Sequence, residues 1–146
     1  MAAHRSIGKQ ISTISRSLSM FVDAKAAHLG LGAATIPILV YLYDNEGVHQ
    51  DVLAEALQFN KSSAARAVAR LEKEGYITKK TDPSNRRRNI IRTTKKARTA
   101  KQEIFHILKR ITEQLFTGFS EDEVTQYFDL NQKIHNNAAL MLRKIK

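Results

Sequence analysis

Ile7, Ile11, Ile14, Leu18 and Phe21 follow one another at spacings of four, three, four and three. That rhythm places them on one narrow stripe of a helix predicted over residues 7–25. So narrow a stripe suits packing against another helix better than covering a broad core. Leu29-Gly30-Leu31-Gly32 interrupts it. A second helix is predicted over 33–43, with Pro37 tolerated near its first turn. Asp44-Asn45-Glu46-Gly47 is turn chemistry. A short third helix is predicted over 48–57, with Val52, Leu53, Ala56 and Leu57 as its apolar face. Asn60 then serves as N-cap of a fourth helix. Its Ala64, Ala67, Val68 and Leu71 face inward, and Gly75 is its C′ residue.

Beyond Gly75 the period changes. Tyr76-Ile77-Thr78-Lys79-Lys80 and Asn89-Ile90-Ile91-Arg92-Thr93 read as strands, joined by the turn Asp82-Pro83-Ser84-Asn85 that runs into Arg86-Arg87-Arg88. A fifth helix opens at Thr93 or Thr94, carries the stripe Ile104, Leu108, Ile111 and Leu115, and ends at Gly118. Ser120-Glu121-Asp122-Glu123 is a capping box for the last helix. There Tyr127, Leu130, Ile134, Ala138, Met141 and Ile145 recur at three and four. The pattern predicts a mainly α fold with a small β-hairpin, in a single domain over residues 1–146. A winged helix-turn-helix lobe at about 33–96 is flanked by helical dimerisation regions at 1–28 and 98–146. One small domain does not need this many apolar seams to cover its core, so a second copy of the chain is the expected partner.

Charge sharpens this picture. The chain has 24 Lys and Arg against 14 Asp and Glu. Of these, 16 basic and only 4 acidic residues fall between positions 61 and 110. The remainder, with 8 basic and 10 acidic residues, is slightly acidic. A positive field confined to one segment is the footprint of a polyanion partner. A composition that is 42% hydrophobic and 26% charged is too apolar for disorder. The lack of cysteine excludes disulfides, thiolate metal sites and thiol-based sensing. No apolar run approaches the ~20 residues of a membrane span, and the N-terminus lacks a signal-peptide core. The expectation is a cytoplasmic protein. His4, His28, His49, His106 and His135 are dispersed, so no metal or cofactor is expected. Without a phosphate-cradling glycine loop or a triad-like grouping, an enzyme is not expected either.

The basic segment carries DNA-binding chemistry. A helix fits the major groove, with its N-terminal residues at the base edges. The fourth helix opens on Lys61 and the small hydroxyls Ser62 and Ser63, which let the backbone approach closely. Arg66, one turn later, suits guanine or a phosphate, and Arg70 suits a phosphate. Arg86, Arg87 and Arg88 repel one another, and a narrow minor groove is a site that rewards an inserted arginine. Lys95, with Lys96 and Arg98, suits either an extension of the phosphate grip or a solvated face. With Tyr76 the lone aromatic among the strands, a base-stacking single-strand surface is disfavoured. A winged helix used for protein contacts, or for non-specific nucleic-acid binding, is the alternative.

From about Ala33 to Ala97 the chain resembles the MarR family of winged-helix transcription regulators. Asn60-Lys61-Ser62-Ser63-Ala64-Ala65-Arg66 resembles the opening of that family's recognition helix. Leu71-Glu72-Lys73-Glu74-Gly75-Tyr76-Ile77 resembles its link into the wing, and Asp82-Pro83-Ser84-Asn85-Arg86-Arg87 its wing tip. Asn85 replaces the family's usual Asp, Thr93 its Leu and Ala97 its Gly. Asn85 thereby removes a carboxylate that commonly steadies the wing arginines. The resemblance implies a homodimer built from the first, fifth and sixth helices, and a pseudo-palindromic operator with Arg87 in the minor groove. It implies a transcription regulator, most often a repressor, that is released by a small amphipathic or aromatic effector. Phe21, His28, Tyr41 and Tyr43 are the candidate lining of that effector site.

Overall fold

A computed structural model describes residues 6–145. His4 and the outermost ends of the two predicted terminal regions lie outside the described residues. The helices are α1 (Ile7–Ala26), α2 (Ile36–Asp44), α3 (Gln50–Ala56), α4 (Lys61–Lys73), α5 (Lys95–Leu115) and α6 (Glu121–Arg143). The strands are β1 (Val48–His49), β2 (Ile77–Asp82) and β3 (Asn85–Thr93). The chain divides into two compact units, Met1–Leu108 and Lys109–Lys146.

In the first unit, Ile38, Leu39, Leu42, Leu53, Val68, Leu71, Tyr76, Ile91 and Ile104 form one buried core. Helix α4 begins where its cap dictates, because Asn60 Oδ1 accepts the Ser63 N–H at 2.7 Å. It ends at Gly75, whose φ of 78° is the left-handed conformation that closes a helix without a Cβ clash. The Gly75 and Tyr76 amides there donate to the Glu72 and Leu71 carbonyls. Ala64, Ala67, Val68 and Leu71 are all buried, as their spacing predicts. Asn60→Ala should destabilise the protein by about 1 kcal/mol, read from the urea midpoint, because the cap orders the helix's first turn.

The strands depart from the expected two-stranded hairpin. Val48 and His49, predicted to open a helix, instead form β1, and the sheet has the order β1-β3-β2. Pairing of Val48 with Ile91 and His49 with Ile90 overrides the weak helical signal of two residues. Helix α3 therefore starts at Gln50. It buries Leu53 and Ala54 rather than Val52, which is 42% exposed. A helix of seven residues is too short for its apolar period to fix which face turns inward.

Strand β3 also starts four residues earlier than predicted, and its register breaks there. Thr81 pairs with Asn89, but the next residue, Asp82, pairs with Asn85. Arg86, Arg87 and Arg88 are the residues this shift passes over, so they bulge from the ladder without cross-strand partners. They sit beside the two-residue Pro83-Ser84 loop rather than within it.

In the second unit, the predicted capping box is present. The Ser120 hydroxyl accepts the Glu123 N–H at 3.2 Å, and the Glu123 carboxylate accepts the Ser120 N–H at 2.8 Å. The Phe116 ring lies 5.2–5.5 Å from those of Phe119, Tyr127 and Phe128. No described residue of α6 is buried, and Leu130 and Met141 on its predicted stripe are exposed. On α1, in the first unit, Ile7, Ile11 and Ile14 are each about half exposed. Among the described residues no helix is long and apolar enough to cross a membrane.

Candidate nucleic-acid interface

The first turn of α4 is an ordered polar surface. Asn60 Oδ1 accepts from the Ser62 hydroxyl at 3.0 Å as well as from the Ser63 amide. Ser63 Oγ in turn accepts from Arg66 at 3.3 Å. Lys61, Ser62 and Arg66 are exposed, and the buried alanines and Leu71 on the opposite side seat the helix on the core. Arg70, expected at a phosphate, donates to the Gly30 carbonyl at 3.3 Å and so engages the connection between α1 and α2.

The wing is braced from outside the hairpin. Arg88 pairs with Asp51 of α3 at 2.8 Å, and that hydrogen bond holds the Asp51 carboxyl below the usual carboxylate range. The pair is solvent-exposed and so contributes little to stability. Beside the loop at the wing tip Asp82 is buried. Its Oδ1 accepts from the Ser84 amide at 2.8 Å and the Ser84 hydroxyl at 2.6 Å, and its Oδ2 lies 2.7 Å from His49 Nε2. Asn85 Oδ1 accepts the Arg87 amide at 3.2 Å. The side chains of Arg86 and Arg87 are exposed and have no ion-pair partner among the described residues. The sequence suggested that Asn85 would leave the wing without carboxylate support. Asp51 supplies one such contact, to Arg88, while Asp82 orders the turn through Ser84 and His49. No spacing rule pairs His49 with Asp82 or Asp51 with Arg88, because the partners lie 33 and 37 residues apart in the chain.

Those bonds hold the Asp82 carboxyl well below the usual carboxylate range, with the Ser84 hydroxyl the largest cause, then His49 and the Ser84 amide. A depressed folded-state pKa contributes stability that is fully present above the unfolded value, about 3.9, and is lost as pH falls below it. Asp82→Asn should therefore flatten the acid limb of the stability curve below about pH 4, followed by circular dichroism, with little change in its shape near neutrality.

The start of α5 is used internally. Lys96 donates to the Glu74 carbonyl at 2.6 Å and lies 4.5 Å from the centre of the Tyr76 ring. Arg98 donates to the Thr93 carbonyl at 3.1 Å, while the Glu46 carboxylate accepts from the Thr93 amide and hydroxyl. The Lys96 and Arg98 side chains, expected at phosphates, here make bonds that tie α5 to α4 and β3. Lys95 lines a cavity of about 420 Å³ with Leu29, Tyr76, Lys96, Thr99, Ala100 and Glu103.

None of the four candidate effector residues lines that cavity. His28 approaches its edge, 2.6 Å from Glu103. The Tyr43 hydroxyl donates to the Ala97 carbonyl at 2.7 Å, and burial pushes its phenol up to about 12. Tyr41 packs against the core, and Phe21 lies under the Lys25 ammonium at 5.3 Å. Among the described residues no three His, Cys, Asp or Glu side chains gather as a metal site.

Two helices in turn-linked succession, followed by a basic three-stranded wing, define the winged helix-turn-helix class of DNA-binding proteins. The profile of the MarR family matches residues 29–88. The crystal structure of MarR is 30% identical to this chain with a TM-score of 0.88, covering 97% of this chain and 96% of that one. That of the transcriptional regulator SlyA is 27% identical with a TM-score of 0.88, covering 97% and 99%. Among curated proteins, the HTH-type transcriptional regulator YybA of Bacillus subtilis is 28% identical over 133 residues, which are 88% of this chain and 86% of YybA. The chain belongs to the MarR family of DNA-binding transcription regulators.

Proposed function

We propose that the protein is a cytoplasmic homodimeric repressor of a pseudo-palindromic operator. Each protomer presents α4 to the major groove, through Lys61, Ser62, Ser63 and Arg66, and its wing to the minor groove, through Arg86 and Arg87. Arg88, Arg70 and Lys95 serve flanking phosphates, the first two after release from Asp51 and Gly30. The observation that carries this reading is the bulge at Arg86–Arg88, which withdraws three cations from the ladder in a chain whose α4 also opens on an ordered, exposed first turn. Residues 33–96 form the DNA-binding lobe, and 1–28 with 98–146 the dimerisation region. The support for dimerisation is the exposure of Ile7, Ile11, Ile14, Leu130 and Ile134, apolar side chains that recur along one stripe of each helix. Repression follows where that operator overlaps a promoter, because a seated dimer then excludes polymerase. The cavity beside Tyr76 and Lys96 offers a small amphipathic effector an aromatic wall and two cations.

A fluorescence titration against duplex DNA across salt concentrations tests this reading. Displacement of counterions from both half-sites should give a log–log slope of order −5 to −10. A flat response would sink the proposal.

A further inference from the structure

We propose that His49 is a positioning residue for DNA binding, which sets the wing arginines through its bond to Asp82. The inference rests on the proposed role of the wing. A carboxylate as buried as that of Asp82, whose side chain is 11% exposed, needs donors on both oxygens. Ser84 satisfies Oδ1 twice from within the turn. The donor to Oδ2 comes from outside the hairpin, from His49 of β1. Facing a carboxylate, Nε2 carries the proton in either the neutral or the charged ring.

The topology makes this bond unusual. In the order β1-β3-β2, His49 and Asp82 belong to the two outer strands, and β3 lies between them. His49 pairs with Ile90, while Asp82 pairs with Asn85. The residues of β3 between those two positions include the three bulged arginines. Where Arg86–Arg88 leave the ladder, the imidazole reaches across to the far strand. A chain of bonds then runs from His49 to Asp82, from Asp82 to Ser84, and through the adjacent Asn85 to the Arg87 amide. His49 thus anchors the wing tip to the strand that leads directly into α3.

An anchored tip loses less freedom when its arginines enter a groove, so anchoring raises affinity without adding a contact to DNA. The Arg88–Asp51 pair also braces the wing, but as an exposed pair it contributes less to this task. It fixes the one bulged arginine whose side chain is already occupied, and Asp51 is 62% exposed. His49 is also the N-cap residue of α3 but makes no side-chain capping bond there, so the imidazole is committed to the wing.

The test uses the full-length chain and the tightest 30-base-pair duplex recovered by selection from a randomised library. His49→Ala should weaken binding roughly tenfold, the fold-change of one lost hydrogen bond to a charged group. His49→Gln, whose amide donates from nearly the same place, should restore binding to within about twofold. In an Arg87→Ala background, His49→Ala should cost little further, because the arginine it positions is gone. A role in folding alone would lower the thermal midpoint without coupling to Arg87. If His49→Ala binds like the parent while Arg87→Ala is weakened, the positioning role is overturned and the wing reading stands. If the two losses simply multiply, His49 acts independently of Arg87 and the inference again fails. If Arg87→Ala itself binds normally, the wing reading fails.

Discussion

Arg87→Ala should lower affinity for the selected duplex by roughly tenfold to a hundredfold, the loss expected for one specific arginine contact. It should do so with almost no change in thermal midpoint. The side chain is exposed, and Arg87's contact with Asn85 is made by its backbone amide, which alanine retains. The salt slope should become shallower by about one for each arm withdrawn. The loss should also depend on DNA shape. A narrow A·T-rich minor groove concentrates negative potential, so replacing it by G·C pairs should weaken the parent more than the variant. Arg88→Ala provides the contrast. Its partner Asp51 is on the same molecule, so the variant exchanges an exposed pair of about 0.2–1 kcal/mol for whatever phosphate contact Arg88 makes. If Arg87→Ala keeps the full slope and the preference for A·T-rich flanks, the minor-groove assignment is wrong.

Ile134→Asp on α6 should convert a dimer of twice 16.5 kDa into a monomer by light scattering. Ile134 is 41% exposed in the single chain, so the aspartate leaves the protomer's own fold intact. In a dimer the same position would bury an unpaired carboxylate, which costs several kcal/mol. Ile11→Asp on the α1 stripe should act in the same way, because Ile11 is 51% exposed and lies on an equally narrow seam. DNA affinity should fall with assembly. Two linked half-site contacts are tighter than one by a factor on the order of 10² to 10⁴, and a monomer loses that gain. Ile134→Leu should leave both properties unchanged. A parent protein that is monomeric at micromolar concentration would remove the half-site geometry altogether.

The sequence is most readable where independent local signals coincide. For α4, the Asn60 cap, the Ala64–Leu71 stripe and the Gly75 terminator name the same bounds, and tertiary packing has nothing to override. The α6 capping box is legible for the same reason, since both of its bonds are made within one turn. Strand β1 is not legible. Two residues carry no period, and they become a strand only because Ile90 and Ile91 lie beside them. The wing arginines are plain in the composition, but their bulge is not, because register is decided between Thr81 and Asn89 rather than within the arginine run. The braces are hidden further still. His49 and Asp82 are 33 residues apart, Asp51 and Arg88 are 37, and only the folded sheet brings them together. Lys96 and Arg98 show the converse. Charge alone offers them to a polyanion, whereas the fold uses them to secure the junction of α4, β3 and α5.

The bulge has a consequence for how this wing can change over time. Ile77–Thr81 and Asn89–Thr93 stay in step regardless of what lies between Asn85 and Asn89. Residues can be gained or lost within that arc while Ile91 keeps its place in the interior, so the span of the arm varies without a frame slip in the sheet. Length as well as residue identity becomes available for retuning which DNA the protein grips, and the two can be altered separately.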